Sequence, residues 1–510
     1  MTAGARLGRG RARTSGRWQP VRAHAPLVVA LLVAGLLRLV AALGYRPAMW
    51  FTDSFTYLDE AIDGRPGLPR PGGYSIYLWL LKPFHSLTLV MATQHVMGLA
   101  VGVLVYALAW RYGVPKWGAL LAAAPVLFDA YEIQLERMIL SDTLFLAIGM
   151  AAFALVLWRS PPRPWAVAAA GLVAGASVVT RPTGIAVVAG VLLTVLLGAR
   201  QTWGRRFGTA ALVLAGCVAP VLAYGMWFNS HYGEFALNRS TGVFLYGRVM
   251  RFADCEKIHP PRELRRLCTK VPPERRMISQ NYIWAAASPL NHIRGGRYSR
   301  RKNHMAERFA VRAIEAQPGD YLKAVSHDTL RAFDWSRTVF PDRLTYDRYQ
   351  FGPRPAPISD NPRSRHAAAL YRRAAQYEQG PVQTTVFQPW AGFAGLYQKV
   401  FFLRGTMVGL ILAAGIVLAL VRRGLPGRLA AGPWAAAAGL VVLPAATAEF
   451  DYRYVVTAVP FACLALALSC ASRNNPGQIS SPAVASGTAW GEAEGSRGGA
   501  VAGRGVRRGP

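Results

Sequence analysis

The chain is poor in charge, and poorest in acid. Only 16% of its 510 residues are charged, where roughly a quarter is usual for a soluble domain. Asp and Glu number 26 against 58 Lys and Arg, leaving a formal net charge of +32. Cysteine is scarce as well, at 5 residues, which excludes a disulfide-rich scaffold. There is no Walker A loop, no dinucleotide glycine fingerprint, no zinc-protease motif and no Gly-x-Ser-x-Gly elbow. What is abundant is apolar: 52% of residues are hydrophobic, too many for intrinsic disorder over most of the chain. A basic balance often points to nucleic acid, but that depends on where the cations sit.

They sit between apolar runs. A bilayer core takes about 20 mostly apolar residues per helix. Ten runs qualify as candidates: 27–43, 87–110, 117–128, 143–158, 165–179, 184–197, 207–228, 407–421, 430–446 and 455–470. The third is short and the ninth is Ala-rich. Thr180-Arg181-Pro182 separates the fifth from the sixth, and Pro182 disfavours helix at the residue before it. The first run has the basic lead of a signal peptide, but no small-residue cleavage site follows before Tyr45-Arg46-Pro47, so it reads as a retained anchor.

Loop charges orient these runs. Residues 1–25 carry six Arg and no acid. The turns with Arg111 and Lys116, Arg159 and Arg163, Arg200, Arg205 and Arg206, and Arg422, Arg423 and Arg428 are also purely basic. Acids occupy the loops between: Asp53, Asp59, Glu60 and Asp63; Glu132, Glu136 and Asp142; Glu449 and Asp451. By the positive-inside rule both termini are cytoplasmic. This predicts an all-α polytopic membrane protein of about ten spans. Residues 1–25 form a disordered basic terminus, 26–228 a seven-helix membrane module, 229–398 a mostly helical extracytoplasmic domain, 399–470 three further spans, and 471–510 a Gly- and Ser-rich disordered tail. Helical spacing is plain at 305–316 and 366–379. Cys255 and Cys268, thirteen positions apart, suit a disulfide outside the cytoplasm; Cys217, Cys463 and Cys470 lie in apolar runs and read as small hydrophobes. Asn238-Arg239-Ser240 matches a glycosylation sequon.

Chemistry therefore belongs at the outer face or within the bundle. In Trp50-Phe51-Thr52-Asp53-Ser54-Phe55-Thr56-Tyr57-Leu58-Asp59-Glu60, residues Asp53, Tyr57 and Glu60 share one helical face. Asp53 can take a proton from a hydroxyl or hold a divalent cation; alternatively Asp53 or Ser54 caps a short helix. Asp59 and Glu60 read as a solvated face. Asp142, at the start of the fourth run, is either an N-terminal acid or the second carboxylate of a pair with Asp53; Glu136 lies one turn and a half before it. Arg181 and Arg453 stand at the outer surface, where Arg suits phosphate, or anchors the interface beside Tyr452 and Tyr454. Arg38 lies inside the first run and can snorkel. Gly98-x-x-x-Gly102 and Gly171-x-x-x-Gly175 read as helix-packing faces.

The order of these motifs resembles the lipid-carrier-dependent glycosyltransferases of the GT-C fold, in particular the protein O-mannosyltransferase and aminoarabinose-transferase-like group. The residues are the first-loop Asp53 with Tyr57 four positions on, Arg70-Pro71-Gly72-Gly73-Tyr74, Leu140-Ser141-Asp142-Thr143-Leu144-Phe145, Thr180-Arg181-Pro182 and Arg453-Tyr454. The resemblance covers about 26–230 well and 396–470 loosely. It implies transfer of a hexose or pentose from a polyprenyl-phosphate donor, with inversion, to an extracytoplasmic acceptor. It implies Asp53 as base with Asp142, Tyr57 and Glu136 assisting, and phosphate held by Arg70, Arg181, Arg453 and Tyr454. A divalent cation, Mg or Mn, held by Asp53 and Asp142 is left open, because the group often has two adjacent acids where this chain has Asp53-Ser54. The implied partners are the lipid-linked sugar, the bilayer of the plasma membrane and an unidentified acceptor, with no nucleic acid. A transporter or flippase of a lipid-linked glycan, or a scaffold, is the competing reading; a transporter would favour internal repeats, which are not evident. The outer domain, with 27 Lys and Arg against 14 Asp and Glu, keeps a basic excess that topology does not explain.

Overall fold

In a computed structural model of the chain, the described residues are 23–198, 202–357, 364–422 and 425–471. The segments expected to be disordered lie outside the described residues, save 23–25 and Ala471. Helix α1 (Ala25–Gly44) leads through β1 (Tyr45–Arg46) into α2 (Thr52–Asp63) and α3 (Gly73–Leu81). Then follow α4 (Leu87–Arg111), α5 (Lys116–Phe128), the short α6 (Ala130–Leu135), α7 (Asp142–Leu157), α8 (Pro164–Thr180), α9 (Gly184–Leu197) and α10 (Trp203–Tyr232). The large loop holds α11 (Thr241–Val249), α12 (Ser279–Trp284), α13 (Arg300–Ala316), α14 (Pro318–Arg331), α15 (Arg365–Glu378), shorter turns and β2 (Thr385–Val386). The chain closes with α16 (Trp390–Val400), α17 (Gly405–Val421), α18 (Leu425–Thr447) and α19 (Tyr452–Cys470). The pairing of β1 with β2 is the only sheet among the described residues, so the fold is all-α.

Every apolar run lies in a helix. Five helices are long and apolar enough to cross a membrane: α1, α4, α10, α18 and α19. The pair α16 and α17, bent by 51°, makes a sixth if it is one span. Helices α5, α7, α8 and α9 are apolar but shorter. A helix rises about 1.5 Å per residue, so a crossing by these four has to draw on flanking residues. The protein is multi-pass on the longer helices alone.

The two termini of the helices gather at two ends. Lys116 Nζ donates to the Ala23 carbonyl at 2.6 Å, joining the starts of α1 and α5. Arg422 donates to the Cys470 carbonyl at 3.1 Å, joining the ends of α17 and α19. At the opposite end lie the C-termini of α1 and α8 and the N-termini of α7 and α19. Helix α19 is the centre of the bundle, with 83% of its apolar window buried, whereas α10 runs along the edge with 17%. On α10 Trp203, Phe207, Leu214, Val218, Leu222 and Met226 are exposed. An apolar stripe of that length suits lipid, not water.

Small residues set the closest approaches. A Cβ on Gly171 would stand 2.2 Å from the Val213 carbonyl oxygen, and one on Gly175 2.4 Å from that of Cys217. This is the packing of α8 on α10. On Gly102 it would meet Leu127 at 2.4 Å, where α4 crosses α5. Thr180-Arg181-Pro182 is the expected break: Arg181 is extended at φ −151°, as a residue before proline should be.

Arg38 does not snorkel. It is 2% exposed and turns inward, with Nε 2.7 Å and Nη2 2.6 Å from the Glu136 carboxylate. In the large loop, α11 and α13 pack around Tyr246, Tyr282 and Phe309. Cys255 and Cys268, joined by a disulfide, adjoin that cluster.

Candidate active site

Helix α2 starts at Thr52, and Ser54 Oγ accepts from the Phe51 N–H at 3.0 Å. Ser54 therefore supplies the cap, and Asp53 is free of that duty. The helix ends at Gly64, whose φ of +64° is the left-handed conformation that favours glycine. The Pro-rich segment that follows turns back over α2, bringing Arg70 Nη1 within 2.6 Å of Asp53 Oδ1. The turn-back docks tightly. Gly72 N donates to the Tyr224 hydroxyl at 2.8 Å, and a Cβ on Gly73 would stand 2.7 Å from Thr180 Cα.

From the other end of the chain, Asp451 caps α19 by accepting from Arg453 N at 3.2 Å. Arg453 in that first turn reaches three carboxylates. Its Nη2 is 3.1 Å from Asp53 Oδ2, its Nη1 3.9 Å from Asp142 Oδ2, and its Nε 3.4 Å from Asp451 Oδ2. Asp142 in turn is ion-paired to Arg181. Because Asp53 and Asp142 contact the two Nη atoms of one planar guanidinium, they lie within about 10 Å of each other. Charges alternate along the row Arg70, Asp53, Arg453, Asp142, Arg181.

Aromatic rings hold the guanidiniums in place. Tyr454 lies between them, its centroid 5.1 Å from Arg181 Cζ and 5.3 Å from Arg453 Cζ. Phe51 faces Arg453 at 4.9 Å and stacks on Tyr349, whose hydroxyl donates to Asp451 Oδ2 at 2.8 Å. Such contacts are worth about 0.5–2 kcal/mol each when desolvated.

This row forms part of the wall of a cavity of about 1390 Å³. Asp53, Arg70, Arg453 and Tyr454 line it; Asp142 and Arg181 sit directly behind Arg453. Burial alone would raise the Asp53 carboxyl, but Arg70 and Arg453 outweigh it and hold it below the ordinary carboxylate range. Asp53 is thus ionised and accepts protons weakly while both arginines face it.

Four expected site residues do not line the cavity: Asp142 and Arg181 stand behind Arg453, and Tyr57 and Glu136 lie elsewhere. Tyr57 is buried behind Asp53; its hydroxyl is 3.1 Å from Ser141 Oγ, tying α2 to the start of α7. Glu136 is fully buried elsewhere, held by Arg38 and, at 2.6 Å, by His95 Nδ1. It pairs within the bundle, and the structure does not bring it to the cavity with Asp53 as expected. Glu60 is a correction in the other direction. Read as part of a solvated face, it is 5% exposed and lines the cavity. Ser75 donates to its Oε2 at 2.6 Å, and burial pushes its carboxyl up to about 7. The large loop also contributes residues to the cavity, among them Trp284, Arg297 and Tyr298, which no motif in the sequence singles out.

The donor set does not fit a divalent cation. The position between Asp53 and Asp142 is taken by the Arg453 guanidinium, and a second arginine pairs each carboxylate. Among the described residues no three His, Cys, Asp or Glu side chains form a metal-binding group. Carboxylates that bind Mg or Mn have to be free to face the ion.

Residues 82–235 match the family model of the dolichyl-phosphate-mannose-protein mannosyltransferases. The resemblance read across 26–230 is thus borne out over that stretch, which contains Asp142 and Arg181 but neither Asp53 nor Arg453. No curated protein matches the chain. Among solved structures, the S. cerevisiae protein O-mannosyltransferase Pmt1-Pmt2 complex bound to the sugar donor is similar at 15% identity and a TM-score of 0.33, over 44% of this chain. The match spans 36% of the yeast chain's length, too slight a likeness to support conclusions about activity.

Proposed function

We propose that this protein is an integral membrane glycosyltransferase that moves a sugar from a polyprenyl-phosphate donor to a hydroxyl acceptor outside the cytoplasm, with inversion. The observation that supports this best is Arg453 standing between Asp53 and Asp142 on the wall of the cavity. A base and a phosphate-binding guanidinium are there in contact, as a single displacement requires. The matched family's description makes mannose the first sugar to test.

In this reading the donor phosphate lies against Arg70 and Arg453, drawing their charge away from Asp53. The carboxylate then regains basicity. It takes the proton of the acceptor hydroxyl as that oxygen bonds to the anomeric carbon from the face opposite the phosphate. The bond from the anomeric carbon to the phosphate oxygen breaks, and polyprenyl phosphate leaves with the electron pair. Arg453 and Arg70 stabilise the charge that develops there. Arg181 and Asp142 orient Arg453 from behind. No nucleotide is needed, because the lipid phosphate is the leaving group. In this reading the cavity end faces outside and both termini the cytoplasm, as the basic and acidic loops alternate, and the membrane is the plasma membrane. The competing transporter reading wants ionisable groups along a passage; inside the bundle Arg38, Glu136 and His95 are instead paired with one another.

The test is sugar transfer from polyprenyl-phosphate mannose in membranes carrying the full chain, wild type against Asp53→Asn. Transfer by the wild type and its loss in the variant are expected. Undiminished transfer by Asp53→Asn would remove Asp53 as the base.

A further inference from the structure

Part of the cavity wall is built by the large loop. There Arg297 Cζ lies 4.6 Å from the Trp284 ring centroid, and Tyr298 meets the same ring edge-on at 6.2 Å. Trp284 is 42% exposed, an indole left open in a cavity. Lining the same cavity are buried polar atoms without a hydrogen-bond partner: Tyr298 Oη, Arg297 Nε, Ser279 Oγ and Glu60 Oε1. All four side chains belong to this one cavity. A buried polar group left unpaired costs about 1–3 kcal/mol, so a set gathered round one space marks a site that a polar ligand completes.

The set is mixed in kind. The Glu60 carboxyl oxygen accepts, the Arg297 N–H donates, and the Ser279 and Tyr298 hydroxyls do either. A ligand that satisfies it has to donate and accept at several points of a cavity that also presents the Trp284 indole. A sugar chain, with a hydroxyl on most carbons and apolar C–H faces, does so. A single Ser or Thr side chain presents one hydroxyl. Tyr298 also shares the cavity with Arg70 and Asp53, close enough that both charges act on its hydroxyl. Burial raises that hydroxyl to about 12, so it remains a neutral donor at physiological pH.

We propose that Trp284, Arg297 and Tyr298 form the acceptor subsite, that the acceptor is a carbohydrate chain, and that Tyr298 orients its attacking hydroxyl toward Asp53. This rests on the glycosyl-transfer reading above and names its second substrate. The large loop is then the specificity element of the enzyme. It lies almost wholly beyond the stretch that matches the mannosyltransferase family.

The experiment uses the full chain in lipid nanodiscs, with polyprenyl-phosphate mannose as donor and a mannose oligosaccharide or a Ser/Thr-rich peptide as acceptor. Tyr298→Phe removes an oxygen that bonds to nothing in the fold, so its folding is preserved. Expected are transfer to the oligosaccharide and, in Tyr298→Phe, an acceptor KM raised about tenfold or more with the donor KM unchanged. Trp284→Ala is expected to do the same. Transfer to the peptide alone, an unchanged acceptor KM, or a shift confined to the donor KM overturns the assignment. Oligosaccharide binding, measured by calorimetry without donor, separates the two proposals. Binding that weakens in Tyr298→Phe while no wild-type transfer occurs sinks the transferase reading and leaves the subsite standing. Transfer by the wild type with calorimetric binding indifferent to Tyr298 does the reverse.

Discussion

The Asp53 carboxylate lies 3.1 Å from the Arg453 guanidinium although 400 positions separate them. Each group is useful to a glycosyl transfer only when released by the other, since a base needs its lone pair and a phosphate clamp needs its charge. Asp53→Asn keeps the shape and loses the base. Transfer is expected to fall about 10²–10⁴-fold, the usual worth of a positioned general base. Steady-state assays with the protein yield unchanged would check it.

Arg453→Lys is expected to behave as a poor replacement. A lysine ammonium is a point charge and cannot span Asp53, Asp142 and Asp451 as a planar fork does. Losing one charge-assisted bond to phosphate predicts a donor KM raised roughly 10- to 100-fold. Arg453→Ala leaves three buried carboxylates facing one another and is expected to cost about 3–5 kcal/mol of stability. Thermal unfolding in detergent reads the second effect separately from the first.

Glu136 separates a structural acid from a catalytic one. Glu136→Gln breaks a buried pairing with Arg38 and His95, with an expected loss of about 3–5 kcal/mol. Transfer per folded molecule should stay near the wild-type value. A collapse of kcat in well-folded protein would return Glu136 to the chemistry.

Glu60 makes stability depend on pH. Its carboxyl is raised from 4.5 to about 7 by burial, so the folded state favours the protonated form. The stabilisation is complete below pH 4.5 and is lost as pH rises toward 7. Up to about 3 kcal/mol is at stake across that window. Glu449, also near 7, acts with the same sign. Glu60→Gln should therefore flatten the fall in unfolding temperature between pH 4.5 and 7. A variant with the wild-type slope would contradict this.

Chelation is expected to leave transfer intact, because Arg453 holds the place between Asp53 and Asp142 that a cation would need. Assays in EDTA, with and without added Mg or Mn, decide it. A requirement for either metal would mean that the arginines withdraw when substrate binds.

Much of the architecture was legible beforehand. The apolar runs became helices because a long stretch without charge leaves the backbone to satisfy its own hydrogen bonds. Gly171 and Gly175 packed as expected, since a missing Cβ is readable wherever two helices meet closely. Cys255 and Cys268 were read as a pair from their spacing. Arg38 and Glu60 were misread for a common reason. A lone charge in an apolar setting is taken to reach for water unless a partner is known, and their partners, Glu136 and Ser75, come from other elements. The Trp284, Arg297 and Tyr298 wall had no signal at all, since common residues in a loop carry no spacing rule.

By itself the sequence determined what is local and additive: which segments are apolar, where a helix stops before Pro182, and how loop charges alternate. Tertiary structure alone decided which ionisable groups face each other. Side-chain period says which face of a helix a residue occupies, but not what lies across from that face. Whether Asp53 meets water, a metal or the guanidinium of Arg453 was settled only when α2 and α19 were brought together.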